Sequence, residues 1–397
     1  MAGERKTYSN PEELRTERKQ LVDDAIRHDR KPKRVPIMSH TWTWKACDAG
    51  YDLQEYVYDY EKRFDAVCQH HEKYEMDFYL DLGYRNQLRV TDCLGQSNYY
   101  ISDNKKYIGF VDHELMDEDD YENVLRDGVT KFLFERAIPD RYGYTDKQKM
   151  MDAYGKAAKE YILMDEYNNR IRDQFVHEFG VPVCNAMIMG LGMDIVQIFY
   201  RGIVGLSKDM RRQPENVEAF IKMLEGDSWP AIVKGLDAYD PKDNTSCFPI
   251  RLTSLSHTIL NKDQFGRFSW PGIKRLVDAI AERNLTCILF FEGSVQHLIE
   301  YLEELPKGVV GLLIEQEDPA KLKKQLPNVT IIGGYPSQLL YTGTQQQCVD
   351  RAKKIIDEVA YDGNYILATD VVLSYPEDAK GENMKAVVDF VKDYGRF

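Results

Sequence analysis

The sequence predicts an α/β protein, a (β/α)8 barrel with an N-terminal helical segment and a small β excursion. Three observations lead there. Short apolar runs alternate with amphipathic helical stretches, and a helix between successive strands makes each pair a right-handed parallel unit. Strand candidates lie near residues 36, 79, 184, 249, 288, 311, 331 and 367, the number that closes a barrel. No GxGxxG follows the first strand, which argues against an open, doubly wound dinucleotide-binding sheet. The whole of 1–397 reads as a single domain, with 1–30 a helical extension within it.

The elements follow in order. Residues 10–30 read as a helix: Asn10 can cap it, Pro11 takes the first helical position, and Glu12 and Glu13 fill the first turn, where the helix dipole favours negative charge. RVPIMSH (34–40) reads as a buried strand, 52–74 as a helix and DFYLDLG (77–83) as a strand. Residues 84–115 hold short β-like pieces broken by Gly and Asp, an excursion expected to cover one face. Residues 117–142 return to helix, broken at Pro139, and 147–180 form a long helical run stopped by Gly180. VPVCNAMIMG (181–190) is a buried strand bounded by glycine. Two helices are expected over 194–226, the second opened by Pro214, and WPAIVKGLDAY (229–239) as another. CFPIRLTS (247–254), LTCILFF (285–291), VVGLLI (309–314), VTIIGG (329–334) and NYILATD (364–370) are strands. Helices are expected between them and over 381–394.

Composition narrows the class. The chain has 397 residues and a formal net charge of −13. Phosphate binding rests on clustered Lys and Arg, so this balance argues against nucleic acid and against an anionic membrane surface. No apolar run approaches the ~18 residues of a membrane span. MAGERKTYSNPEELRTERKQ lacks the apolar core of a signal peptide, so a cytoplasmic location is expected. The seven cysteines have no CxxC spacing, which fits reduced thiols, and Cys184 and Cys287 fall inside strands as small hydrophobes.

In such a barrel, chemistry sits at the C-terminal ends of the strands. Those ends carry Ser39-His40 with Trp42 and Trp44 after them, Asp81, Asn185, Ser254 with His257, Glu292, Glu315, Gly334-Tyr335 and Asp370. Glu292, Glu315 and Asp370 are expected to converge on one mouth, where three carboxylates with His257 or His40 can hold a divalent metal. Glu292 stands out, because it follows an apolar run and precedes Gly293, a costly place for an unpaired charge. The blander readings are solvated loop acids, a hydrogen-bonded loop histidine at 257 and ordinary packing at His40. His70-His71 lies in a charged helical stretch and reads as a solvated face. There is no GxSxG, HExxH or P-loop.

Segments of the C-terminal half carry a resemblance: FYRGIVGLSKDMRRQPENVEAFIKML, RFSWPGIKRLVDAIAERN with ILFFEG, LEELPKGVVGLLIEQEDPAKLKKQLPN, VTIIGGYPSQLLYTGTQQQCVDRAKKIIDEV and GNYILATD. They resemble the uroporphyrinogen decarboxylase superfamily, which includes cobamide-dependent methyltransferases. The likeness runs over about 190–397 and, in outline only, over 30–140, and it implies a (β/α)8 barrel. The decarboxylases of the family hold a polycarboxylate with arginines near the first strand. Here that place reads SHTWTWKACDAGY, without arginine. The thiol-activating methyltransferases carry His-x-Cys-Gly after the fifth strand and a distant Cys near the eighth. Here Phe290 stands where the family has His, Glu292 where it has Cys, and Asp370 beside the second Cys. Carboxylates leave zinc a harder, more Lewis-acidic centre suited to an oxygen substrate.

The resemblance therefore implies the first methyltransferase of an O-demethylase system. A methyl group would pass from a small methoxylated aromatic to the cob(I)alamin of a partner corrinoid protein, since no DxHxxG cobamide motif occurs in this chain. The expected catalytic residues are Glu292 and His257. The expected substrate contacts are His40, Trp42, Trp44, Asp81, Asn185 and Tyr335. The expected zinc ligands are Glu292, Glu315, Asp370 and His257. Glu292 alone, as general acid, is the rival to the metal. The alternatives are a related methyltransferase using a thiol, amine or folate, a decarboxylase, and a barrel that binds without catalysis.

Overall fold

The computed structural model describes residues 5–83, 87–95, 97–111, 114–188 and 190–397. Its strands are β1 (Met38–Ser39), β2 (Phe78–Tyr79), β3 (Tyr99–Ile101), β4 (Ile108–Phe110), β5 (Val183–Ile188), β6 (Ser246–Ser254), β7 (Cys287–Phe291), β8 (Val310–Ile314), β9 (Thr330–Gly333) and β10 (Tyr365–Ile366). β5 to β10 form one parallel sheet in sequential order, and β1 pairs in parallel with β2. A parallel bridge from Ile37 to Leu367 joins the two, with Met38 N–H donating to the Leu367 carbonyl at 2.9 Å. From inside the sheet, the Arg251 guanidinium of β6 donates to the Leu80 carbonyl just past β2. The fold is thus the expected barrel type. The antiparallel pair β3–β4 is the excursion expected over 84–115; residues 84–86, 96 and 112–113 of it lie outside the described residues.

Alternation along each strand builds the interior. Met38, Phe78, Leu80, Phe248, Ile288, Phe290, Leu313, Ile332, Ile366 and Ala368 pack together. The helix Pro11–Arg27 joins them through Val22, Ala25 and Ile26. Asn10 caps this helix by accepting from Glu13 N–H. Thr330 Oγ1, from the start of β9, donates to the Ala25 carbonyl at 2.7 Å. The N-terminal segment is therefore the plug that seals the bottom of the barrel.

Several helices differ from expectation. Asp59 divides 52–74, because its carboxylate takes the N–H groups of Glu61 and Lys62 and starts a new helix, Tyr60–Tyr74. Gly128, with φ of 86°, breaks the next helical run. Pro139 does not break it, since a wider π-type turn over Leu133–Ala137 precedes the proline and absorbs the lost hydrogen bond. Residues 229–237 are not a separate helix but the end of Pro214–Asp237, which continues through Pro230. The prolyl ring meets the carbonyl four residues earlier, at Gly226, on an exposed face where water can take the freed acceptor.

His70 and His71 overturn the expectation of a solvated face, for both are buried. They lie behind β1 and β2, with His70 Nε2 3.0 Å from Ser39 Oγ and His71 Nδ1 2.7 Å from Tyr79 OH. Most charges of this helix occupy its other side, though Arg63 is buried as well. All seven cysteines are free. No described helix is long and apolar enough to cross a membrane.

Candidate active site

The barrel mouth follows from the interior alternation. Phe290, Leu313 and Ala368 point inward, so the residues two positions on, Glu292, Glu315 and Asp370, turn to the same side at the strand tips. The electrostatics agree. Burial pushes the Glu315 carboxyl up to about 7, and the nearby charges of Glu292 and Asp370 push it the same way. One Glu315 oxygen accepts from Gly293 N–H at 2.8 Å, which only partly offsets the rise. Asp370 accepts from Ser337 N–H at 2.9 Å, which orients it. The structure thus brings together the three acids singled out in the sequence. Repulsion from its two neighbours favours the protonated form of Glu315.

A zinc ion does not fit these residues as they stand. Among the described residues no group of three or more His, Cys, Asp or Glu is disposed to hold a metal. His257, expected as a fourth ligand and as a catalytic residue, sits beside the backbone of Ser254 and Glu292 with its ring on the outer side of the wall. Its ring meets the edge of Phe291 at 5.1 Å and faces His297 at 6.4 Å. Phe291 belongs to the outer packing layer, so His257 lies behind the barrel wall. Burial holds it neutral, with its pKa lowered to about 4.

The expected substrate contacts divide in the same way. His40 is inside: its ring packs edge-on against Phe290 at 5.4 Å, and Nδ1 donates to the Thr369 carbonyl at 3.0 Å. Trp42 is half-buried at the exit of β1, its backbone N–H donating to the Leu373 carbonyl. Trp44 is buried outside the barrel against His70 and Tyr74, with Nε1 donating to the Ala379 carbonyl. Tyr335 also turns outward and donates from its hydroxyl to the Cys348 carbonyl at 3.0 Å. Asp81 is buried with its carboxylate 3.9 Å from Lys45. Asn185 lies on β5, and its side chain falls outside what is described.

Three buried charges around the strand exits escaped the sequence reading. Lys45 donates to the carbonyls of Thr41 (2.6 Å) and Asp81 (2.9 Å), tying the exits of β1 and β2 together. Burial lowers its pKa to about 8. Arg251 stands in register with the inward-facing Ile288, which places a cation in the barrel interior. An arginine inside the apolar run CFPIRLTS was the available signal. Asp194 accepts from Leu255 N–H (2.8 Å) and Ser256 N–H (2.7 Å), so the segment after β5 locks the turn after β6.

Comparison with known proteins agrees with this geometry. The chain superposes on a methyltransferase from Methanosarcina mazei with a TM-score of 0.62, covering 96% of this chain and 98% of that one at 14% identity. That likeness is one of fold. A uroporphyrinogen decarboxylase from Anaeromyxobacter dehalogenans (strain 2CP-C) is 30% identical over 139 residues, 34% of this chain. The chain spans 38% of that relative's length. Residues 200–394 match the family described as Uroporphyrinogen decarboxylase (URO-D), so the C-terminal half, which carries all three mouth acids, is similar to that family.

Proposed function

We propose that this chain is a methyltransferase that moves a methyl group from a phenyl methyl ether to the cob(I)alamin of a partner corrinoid protein. The carboxyl cluster of Glu292, Glu315 and Asp370 is the observation that carries the reading. The partner's cob(I)alamin supplies the nucleophile. The chain's own residues manage the leaving group: the bond from methyl carbon to oxygen breaks, its electron pair stays on oxygen, and the phenolate takes a proton from Glu315. A carboxyl with its pKa near 7 matches that task, being both protonated and able to donate at neutral pH. Trp42, half-buried at the exit of β1, offers a flat face for an aromatic ring. This proton route uses only the chain's carboxyls.

A decarboxylase reading is favoured by the curated relative. The acid cluster weighs against it, because it repels the polycarboxylate such an enzyme must hold, and SHTWTWKACDAGY has no arginine to offset that. The test is cob(I)alamin on a corrinoid carrier with a panel of methoxyarenes, followed by visible spectroscopy. Methylcobalamin should form, with or without a chelator. Release of CO2 from a porphyrinogen instead, or methylation only from thiol or amine donors, overturns the proposal.

A further inference from the structure

The helix Lys147–Asp173 is long, yet Ala157, Met164 and Ile171 are its only buried residues. The opposite face is uncovered. Met151 is 61% exposed and Ile162 59%, and Phe134 beside Tyr154 flanks them at 53%. Between Met151 and Ile162 on that face stand Gly155 and Ala158. A Cβ at Gly155 would meet nothing within 4 Å. A glycine inside a helix costs roughly 0.5–1 kcal/mol relative to alanine, and nothing within the chain repays it.

The order of residues along this face is self-complementary. Lys147, Met151 and Gly155 are followed by Ala158, Ile162 and Glu166, so a twofold axis between residues 156 and 157 places each of the first three opposite one of the last three. Lys147 then meets Glu166, Met151 meets Ile162, and Gly155 meets Ala158. The two small residues at the centre let the backbones approach, the apolar pair flanks them, and the charges lie at the ends. Lys147 lies at one end of this face and Glu166 at the other, both exposed. Among the described residues Lys147 and Glu166 take part in no ion pair. Such an isologous contact is the commonest way for a chain to meet its own copy.

We propose that the outer face of the helix Lys147–Asp173 is the docking surface for a second copy of this chain, paired antiparallel about a twofold axis between residues 156 and 157. Two single helices make a small interface, so the dimer is concentration-dependent, and its terminal ion pairs make it salt-sensitive.

Sedimentation velocity of the full chain from about 1 to about 100 µM tests this. The sedimentation coefficient should rise with concentration. Ile162→Lys should weaken dimerisation at least about tenfold, equivalent to ~1.4 kcal/mol. Lys147→Glu and Glu166→Lys should each weaken it, and the double variant should restore it. Gly155→Met should also weaken it, while leaving the monomer's helix signal undiminished in circular dichroism. A monomer across the whole range, a dimer unmoved by Ile162→Lys, or a charge-reversed double variant no tighter than the singles overturns the proposal. Unchanged circular dichroism and melting of each variant at low concentration assign the effect to the interface.

Discussion

At the scale of single residues, Glu315 makes the sharpest claim. Its folded pKa of about 7 lies above the ordinary carboxyl value. If it protonates the departing oxygen, kcat/KM holds below pH 7 and falls as pH rises through it. Glu315→Gln should remove that limb and lower the rate roughly 10²–10⁴-fold. The same raised pKa makes the carboxyl a liability to the fold above pH 7, because the unfolded chain ionises more readily. Glu315→Gln should therefore raise stability at pH 8 by on the order of 1–2 kcal/mol, measured by urea unfolding. A merely structural glutamate would lose both activity and stability. His70 and His71 act with the opposite sign. Burial holds both well below the usual histidine range. Their neutral forms suit the fold above pH ~6.5, and stability is lost as pH falls below that value, because only the unfolded chain takes up the protons. Urea midpoints should drop between pH 7 and pH 5, and His70→Gln/His71→Gln should flatten the slope.

At the scale of elements, the strand exits are held by buried charges rather than by strand length. β1 and β2 contribute two residues each, and Lys45 supplies what so short a ladder lacks; Asp194 ties together the exits of the longer β5 and β6. Asp194 is buried and bonds two backbone N–H groups of the turn after β6. Asp194→Ala should cost on the order of 2–3 kcal/mol, since it leaves both donors buried and unmet. Hydrogen exchange at Leu255 and Ser256 should quicken more than at the centre of β7. Exchange rising evenly over the chain would show a global effect instead.

At the scale of the molecule, the helix Pro11–Arg27 belongs to the core. Val22, Ala25 and Ile26 complete the barrel interior. A chain lacking residues 1–30 should lose cooperative unfolding and bind a hydrophobic dye, because the interior side chains of β6 to β9 would face water. Ile26→Ala in the full chain is the milder form, expected to cost ~2–5 kcal/mol in urea unfolding.

The sequence by itself determined the order of strands and helices, the barrel class and the three acids of the mouth. Each of those rests on local pattern: apolar runs of strand length, caps and stops, and a carboxylate where an apolar run ends. Tertiary structure alone decided which side of the wall each side chain took. Period-2 alternation turns a residue through the wall for every step along a strand, so a boundary uncertain by one residue leaves its direction open. Tyr335 went outward for that reason, while His40, Glu292, Glu315 and Asp370 share the inner face; Trp44 and His257 lie on short helices past the strand ends, where alternation gives no direction and packing alone turned them out. The helix over 11–27 could be read from Asn10 and Pro11, but an amphipathic face says only that something covers it. What covers it is the barrel's lower end, and no pattern within residues 10–30 carries that information. The burial of His70 and His71 has the same origin, since a helix rich in charge still presents one side to the sheet.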